Sequence, residues 1–150
     1  MKENLIGIVD PTGISGIEQE ILKNVRQLFA LGRQHFYFAR RQHNRHWRQK
    51  ISRLYYGAYN ASRAIRLLVA GDFSTDSTDH KKIEDLPKDF PNKDKYVNRL
   101  SALREDRNVS DYDHTAQITE LAITVPDATL LVESFLRDTQ AYLSSRGARI

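Results

Sequence analysis

Residues 47–68, WRQKISRLYYGAYNASRAIRLL, decide the fold. Trp47, Ile51, Leu54, Ala58, Ala61, Ile65 and Leu68 recur at steps of four and three. Such spacing lines one stripe of an α-helix with apolar side chains, and the stripe must be covered by other elements. A second stripe runs beside it: Arg48, Ser52, Tyr55, Tyr59, Ser62 and Arg66. Gly71 is a natural C-terminal stop for this helix. Residues 72–79, rich in Asp, Ser and Thr, read as the loop that follows.

Upstream, Ile14, Ile17, Ile21, Val25, Leu28, Leu31 and Phe38 keep helical spacing, which predicts a first helix over 15–41. Ser15 is the expected N-cap, with Glu18 completing a capping box. Gly32 weakens the middle of this helix without ending it. Gln42 to Arg45 form a polar connection. Residues 1–14 read as an irregular arm containing Gly7, Pro11 and Gly13, and residues 15–146 as one helical domain. The glycines lack phosphate-loop spacing.

Downstream, residues 80–91 hold a short helical piece with a turn at Pro87, closed by Pro91. A helix is expected from Lys93 to Asn108, then a polar turn from Val109 to His114. Ile118 to Val125 fits either a helix or an extended segment. A last helix runs from Pro126 to Ser145, with Ala128, Leu131, Phe135, Thr139 and Tyr142 on its inner stripe. The sum is an all-α, up-and-down bundle of four to five helices in a single domain of 150 residues.

Charge divides the chain in two. Between Glu20 and Asp72 there is no acid but eleven cations, nine of them arginine. From Asp72 to Asp138, fifteen acids face nine lysines and arginines. An arginine-rich surface attracts phosphate chains, and the guanidinium fork suits phosphate oxygens and base stacking. A solvated basic face or a surface for an acidic protein would look the same. The chain has no cysteine, which excludes disulfides, thiolate zinc sites and a cysteine nucleophile. His43 and His46 have ligand-like spacing but no third ligand nearby, so no metal is expected. No apolar run approaches the roughly 18 residues of a membrane span, and the N-terminal apolar stretch is too short for a signal peptide. A cytoplasmic protein without membrane contact is the expectation.

Residues 104–114, REDRNVSDYDH, carry the candidate chemistry. Tyr96, Leu100, Leu103 and Arg107 step by four, three and four, which turns Arg107 inward. A guanidinium taken out of water needs an anionic or hydrogen-bonding partner. His114 follows at a distance that lets both side chains converge. A histidine can move the proton of a ribose 2′-hydroxyl or of a leaving oxygen, and an arginine can stabilise the charge of a phosphorane-like transition state. The alternatives are an Arg107 ion pair with Asp111 or Asp113, and a His114 that caps the next segment. Tyr55, Tyr59, Arg48 and Arg66 can contact bases or phosphates, although tyrosine at helical spacing also suits a core or an interface between copies. His80 either approaches the same cleft or caps the short helix.

Three segments in order resemble the HEPN family. Ser52 to Ala64 resembles its long second helix, with an aromatic pair, small residues and a polar-Arg-Ala run. Asp79-His80-Lys81-Lys82 is similar to the His-Lys step after the loop. Leu103 to Tyr112 resembles the Arg-containing segment with an Asp-Tyr ending. The resemblance implies a helical bundle, usually a homodimer, acting on RNA without a cofactor. Many members are ribonucleases with Arg, a polar residue and a His four to six residues on, a pattern that Arg107, Asn108 and His114 match. Such enzymes are toxins of toxin–antitoxin pairs, phage-defence nucleases or RNA-processing enzymes. Other members, many with the Asp-Tyr ending, only bind nucleotides, RNA or partner proteins. An antitoxin such as a nucleotidyltransferase is an implied partner. In one subgroup such an antitoxin modifies a tyrosine two residues after the histidine, but here Ala116 stands at that place.

Overall fold

The structure, a computed structural model, describes residues 10–74 and 76–150. Among them are four long helices and no strand: α1 (Pro11–Arg41), α2 (Trp47–Ala70), α3 (Lys93–Tyr112) and α4 (Val125–Ser145). Three 3₁₀ segments, Asn44–His46, Ser77–Glu84 and Ile118–Glu120, lie in the connections. The expected helical bundle is what the chain forms.

Three boundaries differ from the sequence reading, one being the short helical piece after α2, which starts inside the expected loop at Ser77 and ends at Glu84. Helix α1 begins at Pro11, not at Ser15. Asp10 caps it by accepting the Gly13 N–H at 2.7 Å, and Pro11 fills the first turn, where its missing N–H costs nothing. The supposed arm therefore loses residues 11–14 to the helix, and residues 1–9 lie outside the described residues. Helix α3 runs on to Tyr112, so Val109 to Tyr112 are helical rather than a turn. Of the two alternatives for 118–125, the chain takes one 3₁₀ turn and then extends into the N-cap of α4, Thr124.

Helix α2 is the central element, packed against α1, α3 and α4. Both of its stripes are needed: Ile51, Leu54, Ala58, Ala61 and Ile65 are buried, and so are Tyr55, Tyr59, Ser62 and Arg66. Gly71 closes it in the left-handed conformation at φ 65°. Lys50 Nζ donates to the Gln42 carbonyl and to Asn44 Oδ1, pinning the tight connection from α1. The two helices then run antiparallel and meet at Gly32 and Gly57. A Cβ on Gly32 would stand 2.8 Å from the Gly57 carbonyl oxygen. Glycine therefore sets how close these backbones come.

On the far side, Tyr96, Phe90, Phe135 and Tyr142 form a cluster of rings 5.1 to 5.9 Å apart. Buried Asp106 accepts the backbone N–H groups of Ala122 and Ile123 at 2.7 and 2.9 Å. These bonds fix the connection between α3 and α4. No helix of the described residues is long and apolar enough to cross a membrane.

Candidate functional site

Arg107 is the residue from which the site is built. Its position on the last turns of α3 follows from Tyr96, Leu100 and Leu103, all buried on the same face. The side chain is 12% exposed and lies against the tyrosines of α2. Nη2 donates to the Tyr56 hydroxyl at 2.8 Å, Nε pairs with Asp111 Oδ2 at 2.8 Å, and Nη1 donates to Asn108 Oδ1 at 3.2 Å. Its charge also sits over the Tyr55, Tyr56 and Tyr112 rings at 5.0 to 5.6 Å. The ion pair with Asp111 is one of the alternatives the sequence allowed.

A cleft of about 420 Å³ opens beside this guanidinium, lined by Tyr55, His80, Lys81, Arg104, Glu105, Arg107, Asn108 and Tyr112. Three cations line it against one carboxylate, and Glu105 is already held by Arg104 at 3.0 Å. Tyr112 is 71% exposed, an open ring at the mouth. A second groove, lined by Arg48, Ser52, Arg53, Tyr56, Ser110 and Asp111 among others, includes the two residues that hold Arg107, Tyr56 and Asp111.

His80 is brought to this cleft by a buried ion-pair cluster. Arg66 reaches Asp79 with both nitrogens, at 2.8 and 2.7 Å, and Tyr59 donates to Asp79 Oδ2 at 2.8 Å. Arg66 also bonds Asp72 at 2.7 Å, and Arg63 pairs with Asp79 at 3.8 Å. Burial alone would raise the Asp79 carboxyl, but Arg66, Tyr59 and Arg63 outweigh it and hold it below the ordinary value. Next in the chain, the His80 ring stacks on Tyr59 at 4.4 Å. Its Nδ1 is 2.7 Å from the Tyr55 hydroxyl. Burial, and then the positive charge of Arg107, push the His80 pKa below the usual imidazole value, so the ring is neutral at neutral pH.

His114 has a different place. It is exposed in the turn after α3 and does not line the Arg107 cleft. No hydrogen bond or ring contact joins it to Arg107 among the described residues. The turn itself is firmly held. Arg48 donates to the carbonyls of Ser110, Asp113 and Ala116 at 3.1, 2.6 and 2.7 Å. Asp113 accepts from the Thr115 and Ala116 N–H groups.

Of the residues singled out from the sequence, Arg107, Asn108, Tyr55 and His80 come together at one cleft. Arg48 is engaged with backbone carbonyls and borders the second groove, and Arg66 and Tyr59 are bonded to Asp79, so these three do not line the Arg107 cleft. Lys81, Arg104 and Tyr112 join the cleft and Tyr56 holds Arg107 without having been picked for those roles, while Asp111 holds Arg107 as the ion-pair alternative had it. The one signal for them was helical spacing: Arg104 is one turn before Arg107, and Tyr56 sits beside Tyr55 in the aromatic pair. Among the described residues no group of three or more His, Asp or Glu is placed to hold a metal ion. The chain matches no family model, no curated protein and no solved structure.

Proposed function

We propose that this chain is an RNA-binding protein of the HEPN type that cuts its RNA without a metal ion. The observation that carries the reading is Arg107. Its guanidinium is braced by Tyr56 and Asp111 and borders an open cleft beside Lys81, Arg104 and a neutral imidazole. A braced guanidinium at the edge of an open cleft stabilises charge that develops on phosphorus without having to reorganise. Tyr112 offers its exposed ring to a base. In this reading Arg107 stabilises the phosphorane, Asn108 orients the phosphate, and His114 moves the proton, so that cleavage by the 2′-hydroxyl leaves a 2′,3′-cyclic phosphate. The exposed cations of α1, Arg26, Arg40 and Arg41, supply the long-range attraction for RNA.

A toxin or phage-defence role, with a cytoplasmic antitoxin partner such as a nucleotidyltransferase, follows from the HEPN resemblance alone. The non-catalytic alternative, a module that binds RNA, a nucleotide or a partner protein in the same cleft, is favoured by one observation: His114 stands outside the cleft. The two readings separate in a single assay. The purified protein is incubated with structured and unstructured RNA in EDTA, and the ends are analysed. Cleavage to cyclic phosphate, lost in Arg107→Ala and reduced at least a hundredfold in His114→Ala, supports the nuclease. RNA binding without any cut strand leaves the binding module.

A further inference from the structure

The imidazole that shares the cleft with Arg107 is His80, and its hydrogen bonding fixes what it can do. Tyr55 is fully buried, and its hydroxyl has His80 Nδ1 as its hydrogen-bond partner. A buried phenol O–H without an acceptor costs about 1–3 kcal/mol, and an orphaned buried donor is rarer in folded chains than an oxygen with an unused lone pair. Tyr55 therefore donates and His80 Nδ1 accepts. In a neutral ring the proton then lies on Nε2. That nitrogen bonds to no protein group among the described residues, and the ring lines the cleft. Stacking on Tyr59 at 4.4 Å and the edge of Tyr56 at 6.2 Å fix the ring plane. Arg107 shares the same tyrosines, with Nη2 on the Tyr56 hydroxyl and Cζ 5.6 Å from the Tyr55 ring.

We propose that His80, oriented by Tyr55 and Tyr59, is a neutral Nε2–H donor that seats a phosphodiester oxygen of single-stranded RNA opposite Arg107. The inference rests on the RNA reading of the cleft and adds a specificity-determining residue to it. A neutral donor beside Arg107 recognises a phosphodiester oxygen through a directed hydrogen bond, without adding to the charges of Lys81, Arg104 and Arg107. A base would need a bare Nε2, which the Tyr55 bond opposes, so His80 positions the phosphate while proton transfer falls elsewhere. The charged and titratable groups around the ring are Arg107 and Tyr55, Tyr56, Tyr59 and Arg63 from the helices, with Asp79 beside it in the chain. Arg107 and Arg63 both disfavour a second proton on the ring and Asp79 favours it.

The test uses the full chain and RNA that cannot be cut, a 2′-O-methyl oligonucleotide, with a mononucleotide and inorganic phosphate as parallel probes. Glutamine carries an N–H near the Nε2 position, and phenylalanine keeps the stack without a donor. His80→Gln is expected to bind the oligonucleotide within about threefold of the unaltered protein, and His80→Phe about tenfold more weakly, one such hydrogen bond to a charged group being worth that much. Long-range nitrogen–proton spectra of the free protein are expected to show the Nε2–H form, with the Nε2 signal shifting on addition of phosphate. Thermal melting checks that each variant folds, and Tyr55→Phe, which frees Nδ1, gives a second route if His80→Phe does not. Equal binding by His80→Phe, or an Nδ1–H ring, overturns the proposal. Tighter binding of the mononucleotide than of the oligonucleotide overturns the RNA source and leaves a nucleotide seat. Absence of cleavage of unmodified RNA, with binding of the 2′-O-methyl oligonucleotide intact, counts against the nuclease alone.

Discussion

At the level of single residues, the buried Asp79 holds the site together. It joins Arg66, Arg63 and Tyr59, and through Tyr59 and its neighbour His80 it reaches the cleft. Asp79→Asn leaves the buried Arg66 guanidinium with Asp72 as its remaining counter-charge, and loss of the doubly bonded partner is expected to cost about 3–5 kcal/mol. Urea unfolding checks this, and a loss below about 1 kcal/mol would show that Asp72 alone satisfies Arg66. The same pair gives a pH dependence. Asp79 in the folded chain lies below its unfolded value of about 3.9, so the unfolded chain binds the proton more readily. Its stabilisation is thus complete at neutral pH and fades as pH falls through and below about 4. Asp79→Asn removes that part of the acid transition. The sequence showed Arg66 on a helical stripe and Asp79 in the next loop, but not that they meet. Pattern gives the face of a helix, while the ion pair depends on how residues 72–79 fold back along α2. His80 was open to either of two roles for the same reason.

Helices were the most legible level, because four-and-three spacing marks the buried face of α2 and α4, although in α1 the same spacing picked Ile17, Leu31 and Phe38, which are exposed, over Phe29, Phe36 and Ala39, which are buried. The stripes of α2 and α4 stand where the spacing put them. Ends were less legible, since they depend on single bonds. Pro11 reads as a breaker unless Asp10 before it is taken as a cap, and the Arg107 segment reads as polar because one face of α3 borders an open cleft and not core. Gly32 is the instructive case. By propensity, alanine there should stabilise α1 by about 1 kcal/mol. The added methyl, however, meets the Gly57 carbonyl oxygen of α2 at 2.8 Å, and backbone cannot swing aside. Gly32→Ala is expected to lower stability by about 1–3 kcal/mol through overpacking. A melting temperature unchanged or raised would mean that α1 slides along α2 at no cost. Ala in place of exposed Gly16, which meets nothing within 4 Å, is the control and should gain the propensity term.

For the whole molecule, the question is how His114 would act on a phosphate held at Arg107. The single chain keeps the two apart: one lines the cleft, the other stands on an exposed turn that Arg48 and Asp113 hold in place. A turn braced so firmly does not fold into its own cleft, yet it can reach into that of a second copy. Two-fold symmetry would then present each His114 to the other copy's Arg107. This predicts complementation. Arg107→Ala and His114→Ala are each inactive alone, since every site in either dimer lacks one residue. Mixed and allowed to exchange, half the dimers carry both chains, and in each of these one of two sites is whole. RNA cleavage should return to about a quarter of the unaltered level. Sites built within one chain would stay silent at every mixing ratio. A protein that remains a monomer at assay concentrations, yet cuts, would place the proton-transferring group inside the cleft and turn attention back to the tyrosines around His80.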